Sequence, residues 1–181
     1  MLDKKGTTLE HIILLRGVTP NGKNAIPKMS YLVDILIEAD FQQVRTYIQS
    51  GNIILESNLS LEEIREQVHT LIKEKIGADL KMVIKNKSDF KKIVQENPFG
   101  EDYLYDRINV IFYQESIQSL PLEKLDGDYG EEEICIGNHC LYLYLPRTAK
   151  RKKLNTNYLE KLFNVDLTMR KLNVVEKLLS K

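Results

Sequence analysis

The chain has 181 residues, 43% of them apolar, enough to bury one substantial core or two smaller ones sharing an interface without disulfide or metal staples. Twenty-six lysines and arginines balance twenty-six aspartates and glutamates, so no global field holds a polyanion, and binding to nucleic acid is disfavoured unless a local patch supplies it. Two cysteines, no charged-then-apolar leader and no apolar run of membrane-spanning length place the expected protein in the cytoplasm, away from secreted and membrane-embedded classes.

Leu9 to Leu15 is an apolar run of strand length, and Pro27 to Ala39 carries Met29, Leu32, Val33 and Leu36 at helical spacing behind a proline suited to a first turn. Val44 to Gln49 and Asn52 to Glu56 are rich in β-branched and aromatic residues and predict two strands around a Ser50-Gly51 turn. Ser60-Leu61-Glu62-Glu63 is a capping box for a helix with Ile64, Val68, Leu71 and Ile72 on one face, and Gly77 supplies its left-handed stop. Leu80 to Lys85 completes the order strand, helix, strand, strand, helix, strand of a ferredoxin-like unit.

The order then repeats. Ser88 to Glu96 predicts a connecting helix, ended before Pro98 because proline cannot continue the hydrogen-bond ladder. Ile108 to Tyr113 is a strand and Pro121 to Leu125 a short helix candidate. Glu132 to Ile136 and His139 to Leu145 flank a Gly137-Asn138 turn, Leu154, Tyr158, Leu159 and Leu162 mark a helix, and Leu167 to Arg170 is the last strand. A final helix spans Asn173 to Leu179. The predicted fold is therefore α+β: two ferredoxin-like βαββαβ units in tandem, residues 1–86 and 107–181, joined by a connecting helix and loop at 87–106, with an extra C-terminal helix.

Two-residue turns would set Ile48 opposite Ile53, Tyr47 opposite Ile54 and Arg45 opposite Glu56. In the second hairpin they would set Ile134 opposite Leu141 and Cys135 opposite Cys140. Both faces of each sheet then carry apolar groups while helices cover one, which predicts two halves packed into one compact protein.

Several motifs stand in an ordered set: Leu15-Arg16-Gly17, Gly22-Lys23-Asn24, Thr46 to Asn52, Asn97-Pro98-Phe99, and the late Thr168, Arg170, Asn173, Val175, Lys177 and Leu178. Together, over nearly the whole chain, they resemble the bacterial domain of unknown function 1697 family. That resemblance implies an α+β fold and carries no established activity. Thr19-Pro20-Asn21, Lys171-Leu172 and Arg151 to Leu154 depart from the pattern the family looks to have, which is Asn-Val-Gly, Asn-Trp and Arg-Ser-Lys-Leu at those places.

In a split unit, the loop after the first strand and the hairpin between the second and third lie at one end of the sheet. Arg16, Lys23, Asn24, Gln49, Ser50 and Asn52 would converge there to accept a small phosphate or carboxylate, or else tie the loop to the hairpin as scaffold. Gly17 to Asn24 imitates a nucleotide-phosphate loop, but Asn24 stands where a magnesium-holding hydroxyl is needed and Pro20 removes a cradling amide, so that reading is rejected.

Arg147, Lys150, Arg151, Lys152 and Lys153 place five cations in seven residues at the expected start of a helix, where they oppose its dipole. The run is either a solvated face neutralised by Glu131-Glu132-Glu133 or a patch for an acidic partner or RNA. Tyr113, Tyr142 and Tyr144 are expected on one sheet face, buried between the halves in preference to stacking bases. Cys135 and Cys140 are expected as packed thiols, and His11 and His69 as core-edge and surface residues. No triad or zinc spacing is present, so no catalytic residue, metal or cofactor is assigned. The leading reading is a cytoplasmic binding protein for a small anion; the alternatives are an enzyme acting on a phosphorylated or carboxylated metabolite, with no general base identified, and an interaction module using the basic run.

Overall fold

A computed structural model describes residues 7–49 and 51–181. Among them the chain forms two four-stranded antiparallel sheets and five α-helices. It divides into two compact units, one of the residues up to Lys87 together with Lys181 and the other running from Ser88 to Ser180. None of the described helices is long and apolar enough to cross a membrane.

In the first unit β1 (Leu9–Arg16), α1 (Met29–Glu38), β2 (Gln42–Tyr47), β3 (Asn52–Ser57), α2 (Leu61–Lys75) and β4 (Lys81–Asn86) give the sheet order β2-β3-β1-β4. Ile13, Leu15, Ile53, Leu55, Met82 and Ile84 form the sheet side of the core, against Leu32, Ile35 and Leu36 of α1 and Ile64, Val68 and Ile72 of α2. The capping box forms as predicted: Glu63 N donates to Ser60 Oγ at 3.2 Å, and Ser60 N to Glu63 Oε2 at 2.8 Å. Gly77, at φ +87°, ends the helix with its amide on the Ile72 and Lys73 carbonyls. Pro27 falls outside the first turn, because α1 begins two residues later after an extended Lys28.

The first hairpin differs from the predicted register. Tyr47 pairs with Asn52, Thr46 with Ile53 and Arg45 with Ile54, so the pairing closes at Tyr47 and Asn52 and Ile48 lies beyond it, exposed, at φ +52°. The cause is Asn52, fully buried, whose Nδ2 donates to the Tyr47 carbonyl at 3.0 Å and draws Asn52 back into the pairing. Arg45 therefore does not meet Glu56; its Nη2 reaches Glu10 Oε2 at 3.0 Å, and Lys87 Nζ lies 3.0 Å from the other oxygen.

In the second unit, entered through α3 (Lys87–Gln95), β5 (Ile108–Phe112), β6 (Glu133–Ile136), β7 (Leu141–Tyr144), α4 (Thr156–Phe163) and β8 (Thr168–Lys171) precede α5 (Leu172–Leu179), and the sheet order is β6-β7-β5-β8. Where a first crossover helix was expected there are only short 3-10 turns, Ile117–Ser119 and Leu122–Lys124. The same register shift recurs: Ile136 pairs with Leu141 and Cys135 with Tyr142, while Gly137 N donates to the Cys140 carbonyl at 2.9 Å. Cys140 thus lies in the turn, buried, and does not oppose Cys135.

The tyrosines separate as well. Val110 pairs with Tyr142 and Ile108 with Tyr144, which sets these tyrosines on the face of Phe112, whereas Tyr113 joins Ile111, Leu141 and Leu143 in the opposite core. The Tyr142 face is packed by α3 of the same unit: Phe90 stacks on Phe112 at 5.1 Å, and Tyr142 Oη donates to the Ile93 carbonyl at 2.7 Å. Asn97 turns the chain after α3, its Oδ1 accepting from Phe99 N at 3.1 Å, so that Phe99 meets Tyr103 and Tyr144 at 4.8 and 5.9 Å. The Asn97-Pro98-Phe99 motif is therefore a helix stop with an aromatic anchor.

Candidate functional site

The loop between β1 and α1 is closed by its own hydrogen bonds. Gly17 and Gly22 take φ of +88° and +89°, Thr19 N donates to the Asn24 carbonyl at 3.1 Å, and Thr19 Oγ1 donates to the Asn21 carbonyl at 2.8 Å. Ile26, 4% exposed, roots its far end in the core. The hairpin meets the loop through Gly51, whose carbonyl accepts from Leu15 N at 2.9 Å. At φ +83° a Cβ here would stand 2.8 Å from Leu15 Cβ and 3.0 Å from Val18 Cγ2, so only glycine permits the approach.

Val18, Thr19, Pro20, Ile26 and Gln49 line a pocket of about 300 Å³ in this region. Of the residues expected at the site, Gln49 is on its wall. Arg16, half-buried, ends β1 opposite Lys81, and Lys23 is exposed on the loop. Asn24 is turned to another duty: its Oδ1 accepts from Asp79 N at 3.3 Å and pins the loop to the turn before β4. Asn52 holds the hairpin, and Ser50 lies outside the described residues. The pocket walls Val18, Thr19, Pro20 and Ile26 were missed; the isolated apolar Ile26 ahead of Pro27 was the available signal.

His69 Nε2 lies 2.7 Å from Asp79 Oδ1, and Lys73 Nζ 3.6 Å from its other oxygen. The His69 hydrogen bond and the Lys73 charge hold the Asp79 carboxyl below its usual range. Among the described residues, no group of three or more His, Cys, Asp or Glu side chains is placed to share a metal ion.

The basic run lies ahead of α4, not within its first turn. Asn155 caps that helix, Oδ1 accepting from Tyr158 N at 2.8 Å, and the helix begins at Thr156. Arg147 Nη2 is 3.6 Å from Asp106 Oδ2, and Lys153 Nζ stands 5.3 Å from the ring centroids of both Tyr129 and Tyr158. Glu132, 5% exposed, does not neutralise the cations directly; one oxygen accepts from the amides of Lys153 at 2.6 Å and Leu154 at 2.9 Å. Base stacking has no support: Tyr113 and Tyr142 are 1% exposed, and burial raises both their phenol pKa values. Burial, with the Glu133 charge, likewise raises the Cys135 thiol, which disfavours the reactive thiolate.

The family model described as "Protein of unknown function (DUF1697)" matches residues 9–142. Among curated proteins no sequence matches the chain. A conserved bacterial protein from Streptococcus pneumoniae, SP0830, is similar in structure, with a TM-score of 0.71 and 19% identity over 96% of this chain and 98% of its own. At that identity the likeness is one of fold.

Proposed function

The chain belongs to the DUF1697 family of proteins of unknown function, and from that premise we propose that it is a cytoplasmic binding protein for a small molecule bearing a phosphate or carboxylate group. We read its two sheets, which share one strand order, as ferredoxin-like units in tandem, with the ligand site on the first. The observation that carries the reading is the approach of the β1–α1 loop to the hairpin at Gly51, next to a pocket lined by Gln49 and the loop. About 300 Å³ is the lower end of what small-molecule sites enclose, which suits a compact metabolite. Apolar Val18, Pro20 and Ile26 supply contact area, the Gln49 amide gives orientation, and Arg16 at the end of β1 and Lys23 on the loop supply the positive charge an anion needs.

Thermal melting of the parent, Arg16→Ala and Lys23→Ala proteins with sugar phosphates, nucleotides and small carboxylates tests this. A compound at a hundred times its dissociation constant stabilises by about 2.7 kcal/mol, and the reading expects that shift in the parent and its loss in both variants. Equal shifts in all three proteins would remove the loop as the site.

An enzymatic reading has one observation in its favour. His69 is oriented by Asp79, and the Asp79 amide is joined to the loop through Asn24. It requires that His69→Ala abolish turnover of a bound compound and leave its binding intact.

A further inference from the structure

We propose that Lys150, Arg151 and Lys152 form a docking point for an acidic segment of a partner protein. Ala149 and Leu154 are buried on either side of the three, and Glu132 grips the backbone amides of Lys153 and Leu154, so the segment is fixed at both ends. The flanking cations have duties within the protein: Arg147 on Asp106, and Lys153 over the Tyr129 and Tyr158 rings. The middle three are exposed, and among the described residues none of them pairs with a carboxylate. In the acidic run nearest in sequence, Glu132 accepts from backbone amides and Glu133 from the Tyr103 hydroxyl at 3.1 Å.

Three adjacent like charges on an anchored segment repel one another, and a row of carboxylates relieves that repulsion. Anchoring also lowers the ordering cost of association, because the backbone is already placed. The chemistry favours a protein over a nucleic acid. The chain has zero net charge, so it lacks the field that gathers a phosphate backbone. The aromatic rings beside the segment are unavailable to bases, since Tyr129 is 7% exposed and both it and Tyr158 lie against Lys153.

The test is fluorescence anisotropy of a labelled oligoglutamate peptide with the full chain, at low and at physiological salt. The inference expects binding that weakens about tenfold as salt rises, and about tenfold again when Lys150, Arg151 and Lys152 are all changed to Glu. Lys91, Lys92 and Lys177, exposed on α3 and α5, changed together to Glu give the same charge difference elsewhere and should leave affinity within about twofold. A Lys150→Gln, Arg151→Gln, Lys152→Gln protein serves if the reversal impairs folding. No binding by the parent, equal weakening by the control variant, or tighter binding of a labelled oligouridine than of the peptide would each overturn the proposal.

Discussion

The Gly51 carbonyl accepts from the Leu15 amide at 2.9 Å, which carries the contact between the first hairpin and β1 up to the loop that follows β1. The contact leaves no space for a side chain, and φ at Gly51 is +83°. Gly51→Ala should therefore cost about 1–3 kcal/mol through backbone strain and displacement of Leu15 and Val18. Urea unfolding measures this directly. An unchanged midpoint would mean that loop and hairpin are not tightly coupled.

Two asparagines among the expected ligand groups make structural hydrogen bonds, Asn24 with the Asp79 amide and Asn52 with the Tyr47 carbonyl. Asn52→Ala leaves the Tyr47 carbonyl without its buried donor and should cost about 1–2 kcal/mol, whereas Lys23→Ala, at an exposed position, should change stability by less than about 0.5 kcal/mol. Denaturant melts of the two variants separate scaffold from recognition. A Lys23→Ala loss as large as that of Asn52→Ala would assign the loop a purely structural role.

Glu132 is a buried carboxylate whose acceptor capacity goes to two backbone amides. Its removal as Glu132→Ala should destabilise the second unit by about 2–3 kcal/mol, with increased amide exchange at Lys153 and Leu154. Hydrogen exchange that remains unchanged at those two amides would show that the segment is held by other contacts.

Stability should fall in two acid steps. His11 is 3% exposed; burial pushes its pKa below the usual 6.5, against a smaller opposite effect of the neighbouring Ser57 backbone. The unfolded chain therefore takes up a proton before the folded one, and the His11 contribution, intact above about pH 6.5, declines as pH falls toward the folded-state value. Burial alone would raise the Glu10 carboxyl, but Lys87 and Arg45 outweigh it and hold the group below the usual 4.5. Its contribution is present above that pH and is lost as pH falls through the lower folded value. Unfolding free energies at about pH 7.5, 5.5 and 3.5 should show the first step reduced in His11→Gln and the second reduced in Glu10→Gln. Identical pH profiles in parent and variants would contradict both assignments.

Helices were legible where local chemistry decides them. Ser60 and Glu63 form their box, Gly77 stops α2, and the apolar spacing of α4 and α5 marks their buried faces. Hairpin registers were not legible, because the deciding features are conformational and do not show in apolar alternation: a positive φ at Ile48, a buried Asn52 reaching Tyr47, and a turn that includes Cys140. Each shift by two residues in the pairing sum keeps every side chain on its expected face within the hairpin, so alternation alone could not reveal it. Tyr113 was misplaced for a related reason, since its face depends on the β5–β7 register, which no turn connects. At the candidate site, sequence indicated the two segments that meet, while the walls at Val18, Pro20 and Ile26 depend on the folded course of the loop, which spacing does not give.

The most direct measurement is an amide chemical-shift titration of the labelled protein with inorganic phosphate and with a sugar phosphate. The account predicts saturable shifts centred on Thr19, Gly22 and Gln49, absent in Arg16→Ala. Saturable shifts elsewhere with this end of the first sheet unmoved, or no saturable shift with either compound, would contradict an anion site between the loop and the hairpin.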